Sequence, residues 1–526
     1  MKKLISTLLI VTLLFTSLLT LSSCNLFGGG NNSADFVVPE GGYDGSAVTI
    51  RFYHTMGADL RKVLDDAIVR FNALYPNITI EHEQVGSYND VRDRVKTEIS
   101  VGDQPNIAYC YPDHVALYNV AKAAIKLDNL IASTIEIERF DGTTEVLGLT
   151  AEQIADFIPG YYAEGAQFDD EGTMYTLPMS KSTEVLFYNK SFFEGCQRIY
   201  NSDILIDLNG NPIYLADEDG NLILDADGNP QTQQNENKGN DLYNISVPTT
   251  WAEMEEVCRK IKIIDPTCIP LGYDSEANWF ITMCEQYGSD YTSATGEHFI
   301  FDNQTNYDFV KTFRQWYQDG LVITQDLNQG NYSSKMFTAQ SGVKCYMSIG
   351  SSAGAKNQRP TKVNNEYPFE VGCTIVPQLD PKNPKVISQG PSLCIFGKSN
   401  PQEVIASWLF VKFITTDTEF QAKFSMVSGY VPVIQSVADN DVYSKFTDKA
   451  DGGEYLTALS AAQCLAQANA YYTSPAFNGS STARDQVGLL LNACLSQKPE
   501  ANESVEDMIK RLFKNAIDEC EYQHPN

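Results

Sequence analysis

Residues 48–115 read VTIRFYHTMGADLRKVLDDAIVRFNALYPNITIEHEQVGSYNDVRDRVKTEISVGDQPNIAYCYPDHV, and the rest of the chain is organised around them. Val48, Ile50 and Phe52 alternate with polar neighbours, the period of a strand with one buried face. Leu60, Val63, Leu64, Ala67, Ile68 and Phe71 then recur at three- and four-residue spacing, which predicts a helix with one apolar stripe. Pro76 ends that helix, and Ile78 and Ile80 resume the period of two. Strand, crossover helix and second strand make a βαβ unit with parallel strands, so the fold class is α/β. Ligands of such sheets sit beyond the carboxyl ends of the strands. Here that end carries the loops at 54–57, 86–88 and 111–113.

At 526 residues the chain has room for two or three compact units. Hydrophobic content of 43% and charged content of 20% describe a globular protein, and 28 Tyr supply amphipathic surface for polar ligands. A formal charge of −29 excludes nucleic acid as a partner, because that binding rests on Lys and Arg meeting phosphates. Lys2 and Lys3 precede an apolar run over 4–21, closed by Leu21-Ser22-Ser23-Cys24. This is a bacterial lipobox. It predicts a lipoprotein signal peptide over 1–23, acylation of Cys24, and a lipid anchor on the extracytoplasmic face of the cell membrane. An uncleaved membrane helix would need about 20 apolar residues and would leave Cys24 unexplained. Residues 24–47, rich in Gly, Asn, Ser and Asp, read as a flexible tether.

Of the 12 cysteines, those beyond Cys24 are odd in number, so a complete disulfide framework is impossible. No cysteine or histidine cluster has metal spacing, and buried thiols are expected, with Cys258 and Cys268 placed where they could bridge.

Several further stretches carry a family resemblance. The run Phe52-Tyr53-His54-Thr55-Met56, a helix ending in Phe71-Asn72, and Gly86-Ser87-Tyr88 come in that order. MYTLPMSKSTEVLFYNK at 174–190, VPTTW at 247–251, KMFTAQSGVKCYMSIGSSAG at 335–354, GPSLCIF at 390–396 and SGYVPV at 428–433 follow, before an amphipathic helix over 505–517. This series resembles the extracellular solute-binding proteins (family 1) of ABC importers, in particular the sugar- and glycerol-phosphate-binding branch, over about Val48 to Cys520. The resemblance implies a periplasmic-binding-protein-like fold of the maltose-binding-protein type II, with two lobes, a hinge and a ligand cleft between them. Lobe 1 is expected over 48–178 and 379–440, and lobe 2 over 179–378 and 441–526. It also implies a monomer that performs no chemistry, needs no cofactor, and delivers a carbohydrate to the transmembrane subunits of an ABC permease.

Residues 200–247 interrupt the resemblance. Asn209-Gly210-Asn211, Asp219-Gly220-Asn221 and Asp227-Gly228-Asn229 are turn signals with apolar residues between them, read as a hairpin-like insertion in lobe 2 followed by a loose polar tract. A calcium loop is disfavoured, since Leu215 and Ile223 stand where the spacing needs an acid.

Catalytic motifs are incomplete in this sequence. Gly350-Ser351-Ser352-Ala353-Gly354 fits G-x-S-x-G, the elbow of a hydrolase nucleophile, but His524 is the one histidine that follows it. Gly390 and Gly397 are too far apart for a phosphate loop, and no motif selects a carboxylate pair. An extracytoplasmic hydrolase and an adhesin therefore stay as rivals to the solute receptor.

Carried over residue by residue, the family's binding positions fall on Tyr88, on Pro112 with Asp113 beside it, on Lys181 or Ser182, on Trp279 as a stacking platform, on Ser351 and Ser352, on Gly390 and on Tyr430. The arginine that grips phosphate in glycerol-phosphate-binding relatives should lie near Ala476 and Phe477; Arg484 or Lys181 would have to replace it. This puts an uncharged sugar ahead of glycerol 3-phosphate or a glycerophosphodiester. Aromatic faces for sugar CH groups, with hydroxyls, amides and a carboxylate for OH groups, suit a polyol.

Overall fold

The computed structural model of the protein describes residues 35–169, 171–447 and 455–524; the signal segment and Cys24 lie outside the described residues. Ten strands build two main sheets: β1 (Val48–His54), β2 (Ile78–Gln84), β3 (Ile107–Cys110), β4 (Thr176–Pro178), β5 (Glu184–Asn189), β6 (Leu271–Tyr273), β7 (Val322–Thr324), β8 (Met347–Ser351), β9 (Val371–Ile375) and β10 (Ser392–Ile395). The first sheet has the order β2-β1-β3-β10-β4 and the second β9-β5-β8-β6-β7.

The opening unit forms as its pattern dictates. β1 pairs in parallel with β2, from Val48 opposite Ile78 to His54 opposite Gln84. The crossover helix Ala58–Leu74 buries Val63, Leu64, Ala67 and Phe71, with Leu60 and Ile68 at the margin of the same core. Each such aliphatic or aromatic side chain contributes about 1.5–3 kcal/mol on full burial. β10 returns late in the sequence to pair antiparallel with both β3 and β4. Pro178 therefore sits on an edge strand, where its missing N–H breaks no ladder.

Two apolar cores correspond to the two sheets. The first joins Phe52, Phe71, Leu177 and Leu393 to Trp408 and Phe410 of helix Pro401–Thr416. The second joins Leu186, Trp279, Phe313 and Ile349 to Leu491 and Phe513. Tyr443, Phe446, Ala458, Ala461 and Cys464 belong to the first core, and Val386 and Ile387 to the second. Packing thus moves the later changes of unit to about 390 and 467, away from the expected 379 and 440. Helix Tyr455–Ala466 straddles them, since its Leu456 packs beneath the second sheet against Val185 and Phe187.

In the insertion, antiparallel bridges Ile206–Pro212, Ala216–Leu222 and Leu224–Pro230 close the three turns, and Tyr214–Thr232 and Ile204–Gln234 join its last segment to the earlier ones. Asp207, Asp217 and Asp225 each accept backbone N–H groups of their own turn, from Asn209 and Asn211, Asp219 and Asn221, and Asp227 and Asn229. Between the turns, Leu205, Ile213 and Gln233 pass backbone hydrogen bonds round a closed ring, and Leu215, Ile223 and Gln231 form a second ring. Gln231 and Gln233 come from the tract expected to be loose. Asn235 anchors it, donating to the carbonyls of Ile199 and Ser202.

The eleven described cysteines are free and buried, Cys258 and Cys268 among them. No helix among the described residues is long and apolar enough to cross a membrane.

Candidate functional site

The chain passes from one unit to the other through 179–183 and 388–391, and these two crossings lie back to back. Ser182 and Gln389 exchange backbone hydrogen bonds at 2.9 Å. Gly390 has φ 93°, and a Cβ there would stand 2.4 Å from the Ser180 carbonyl, so its role is close packing rather than ligand contact. Lys181, expected to reach the ligand, is fully buried instead. Its Nζ donates to Glu164 Oε1 at 2.6 Å, Ser392 Oγ at 3.2 Å and the Gly390 carbonyl at 3.4 Å, which uses all three protons of the ammonium. Ser182 is buried beside it and accepts from Ser351 Oγ at 3.3 Å.

Trp279 is also a correction. Its indole has no exposed surface and packs between Tyr273, at 4.9 Å and 11°, and Phe313, at 4.2 Å. It is a core residue, and its helix neighbour Ile281 lines the cleft. Ser352 is likewise buried, its carbonyl bonded by Ser460 Oγ, while His524 pairs with Thr482 elsewhere. A serine with no exposure and no histidine beside it is no hydrolytic nucleophile.

Four tyrosines meet at the carboxyl ends of the first sheet. Tyr88 and Tyr430 share a hydrogen bond at 3.2 Å, the rings of Tyr88 and Tyr111 lie 4.6 Å apart, and Tyr109 stacks on Tyr88 at 6.2 Å. Burial, and then the neighbouring tyrosines, push the Tyr88 phenol well above its ordinary value, so it keeps its proton as a donor. Ser87 caps the helix that carries Tyr88, and Asp90 completes the capping box.

Across from these rings lies the other unit. A cavity of about 70 Å³ is lined by Tyr111 and Asp113 from one side and Ile281, Tyr291 and Arg484 from the other, with Ser388 and Gln389 of the second crossing between them. Asp113 Oδ2 accepts from Ser481 Oγ at 2.8 Å. Burial pushes its carboxyl up, but His114, Arg484, Ser481 and Arg92 together hold it below the usual carboxylate value. Arg484, on helix Ser480–Ser496, is aimed by Asn278, whose Oδ1 accepts from its Nη2. Asn278 Nδ2 in turn donates at 3.0 Å to Glu184 Oε1, and Tyr273 donates to Glu184 Oε2 at 2.6 Å. Burial raises Glu184 to about 7 despite those two bonds.

Of the expected site residues, Asp113 and Arg484 line the cavity, and Tyr88 and Tyr430 are bonded to each other beside Tyr111. Lys181, Ser182, Trp279, Ser352 and Gly390 are packed away, and Ser351 caps the turn that follows β8. Tyr111, Glu184, Tyr291 and Ser388 were missed. Tyr111 stood next to an expected position, Ser388 two residues before Gly390 and Glu184 within the stretch 174–190, whereas Tyr291 lies in a run without a marking pattern.

A model of the bacterial extracellular solute-binding proteins matches residues 66–450. The chain belongs to this family. Members of the family are solute-binding proteins rather than enzymes, and they act outside the cytoplasm. The sn-glycerol-3-phosphate-binding periplasmic protein UgpB of Escherichia coli K12 is 21% identical over 425 residues, 78% of this solute-binding protein and 80% of that one. Among solved structures, UgpB of Mycobacterium tuberculosis in complex with glycerophosphocholine aligns with a TM-score of 0.64 at 14% identity, covering 91% of this chain and 100% of that one. The GacH receptor of Streptomyces glaucescens, solved unliganded and with acarbose, aligns with a TM-score of 0.62 at 14% identity, covering 90% and 98%. These likenesses establish the periplasmic-binding-protein-like α/β fold that the sequence implied.

Proposed function

We propose that this solute-binding protein takes a carbohydrate or related polyol into the cavity between its two units and delivers it to an ABC permease. The observation that carries the reading is the cavity itself, in which Tyr111 and Asp113 of one unit face Ile281, Tyr291 and Arg484 of the other. Aromatic faces cover the CH side of a sugar ring, and a carboxylate, an amide, hydroxyls and a guanidinium meet its OH groups. Tyr88, Tyr111, Asp113, Tyr291, Tyr430 and Arg484 are the proposed contacts. The protein works as a monomer without a cofactor, held to the membrane by lipid on Cys24 at the end of a short tether.

A second reading, a glycerophosphodiester, is favoured by one observation: Arg484 lines the same cavity as Thr473, Ser474 and Pro475, beside the positions where no arginine was found in the sequence. Thermal unfolding against mono- and disaccharides, glycerol 3-phosphate and glycerophosphocholine tests both. A solute at a hundred times its Kd adds about 2.7 kcal/mol of stability. Stabilisation by a saccharide with no product formed supports the first reading, and stabilisation by the phosphoesters alone supports the second.

A further inference from the structure

Ser388 lines the cavity, yet its hydroxyl proton is already committed: Oγ donates to Glu164 Oε2 at 2.7 Å. The direction is fixed, because a carboxylate offers lone pairs alone. Glu164 is itself immobile. It is 4% exposed, and its other oxygen is held by Lys181, whose remaining two protons go to the second crossing. Other hydroxyls of the wall behave alike. Ser480 donates to the Phe477 carbonyl at 2.8 Å and Thr473 donates to Gln167 Oε1. Gln389 Oε1 is buried and unpartnered, and Asp113 adds a carboxylate. Ser388, Ser480, Thr473 and Asp113 therefore offer lone pairs to the solute, while Arg484 and the phenols of Tyr111 and Tyr291 can donate.

We propose that Glu164, which stands behind the cavity wall, sets the hydrogen-bond polarity of the site: by taking the proton of Ser388 it makes that hydroxyl an acceptor, and the solute must present a donor hydroxyl there. This deepens the carbohydrate reading and rests on it. A phosphate oxygen brings no proton to Ser388 or Asp113, whereas a hydroxyl of a neutral polyol does and still accepts from Arg484. Glu164 is a positioning residue. The same ion pair also ties the polarity of Ser388 to the packing of the two crossings.

The test uses the full chain. Neutral mono- and disaccharides form one arm, and glycerol 3-phosphate, glycerophosphocholine and inorganic phosphate form the other. The saccharide that raises the Tm most is then titrated beside its monodeoxy and deoxyfluoro analogues. One position is expected at which both analogues bind about tenfold more weakly than the parent, fluorine being unable to donate. Ser388→Ala should weaken the parent about tenfold and erase the penalty at that position. In the paired variant Glu164→Gln with Lys181→Met, which leaves no lone buried charge, the new amide donates to Ser388 and turns its proton into the cavity. There the deoxyfluoro analogue should overtake the parent. If every analogue binds like the parent, or if the paired variant folds and keeps the wild-type ranking, the inference fails while the carbohydrate reading stands. Binding in the phosphate arm alone overturns the inference and leaves the phosphoester reading. Silence in both arms removes the solute reading and the inference with it. If the paired variant does not fold, Ser388→Ala with the analogue series decides.

Discussion

Ser481 Oγ donates to Asp113 Oδ2 at 2.8 Å, joining the first turn of a helix in one unit to the first turn of helix Pro112–Asn119, after β3, in the other. Arg92 and Asp485 approach within 3.5 Å across the same boundary. The two units are thus held together on one side of the cavity by protein contacts alone. Removing one of them should loosen the closed arrangement without touching either core. Ser481→Ala is expected to lower solute affinity by up to about tenfold while changing the stability of the empty protein by less than about 1 kcal/mol. Calorimetric titration with denaturant unfolding checks this, and an equal loss in both quantities would refute it.

The hydrogen bond between Tyr88 and Tyr430 leads to a second expectation. Each phenol holds the other in place beside Tyr111, which lines the cavity. Tyr430→Phe keeps the ring and removes the bond, so affinity should fall about three- to tenfold with the fold intact. Tyr430→Ala should cost more, because the stacked face goes as well. Equal losses for the two variants would show that the ring makes no contact.

Glu184 predicts a pH dependence. Its carboxyl sits at about 7 in the folded protein against an ordinary 4.5. Between those values the folded state holds a proton that the unfolded chain has lost. Stability therefore falls as pH rises through 4.5 to 7, by an amount on the order of 3 kcal/mol, and the loss is complete above 7. Glu184→Gln keeps an acceptor for Tyr273 and should flatten that slope. Urea unfolding at several pH values, wild type against variant, is the measurement, and identical slopes would contradict the assignment.

Trp279 is expected to act on stability rather than directly on the solute. It is sealed between Tyr273 and Phe313, so Trp279→Ala should destabilise by about 3–5 kcal/mol. Trp279→Phe, which refills most of the space, should bind the solute nearly as wild type. A large affinity loss in Trp279→Phe at unchanged stability would restore the stacking platform.

The contrast between Trp279 and the opening unit marks what the sequence could reveal. β1, its crossover helix and β2 were legible because a period of two followed by one of 3.6 says which side chains are buried. Trp279 was misread because a core aromatic and a sugar platform are the same residue type, and only packing tells them apart. Lys181 failed for a related reason: its partner Glu164 is seventeen residues away and nothing local announces a buried ion pair. Glu184 matters through Tyr273 and Asn278, about ninety residues away, and Ser388 through Glu164 across the crossings, and no local pattern encodes either. In the insertion the turns were legible one by one from their Asp and Gly residues, whereas the rings that join them are closed by Gln231 and Gln233 from beyond the last turn. Asp113 could be placed because it follows the carboxyl end of a strand, whereas Arg484 stood only as a substitute for the missing phosphate-gripping arginine.

The account's central claim is that a solute lies between the two units, and hydrogen–deuterium exchange with and without the stabilising saccharide tests it most directly. Amides around 111–117, 281–291, 387–391 and 473–484 should slow together on binding, while the insertion over 204–234 stays unchanged. Protection confined to one unit, or centred on the insertion, would contradict the claim.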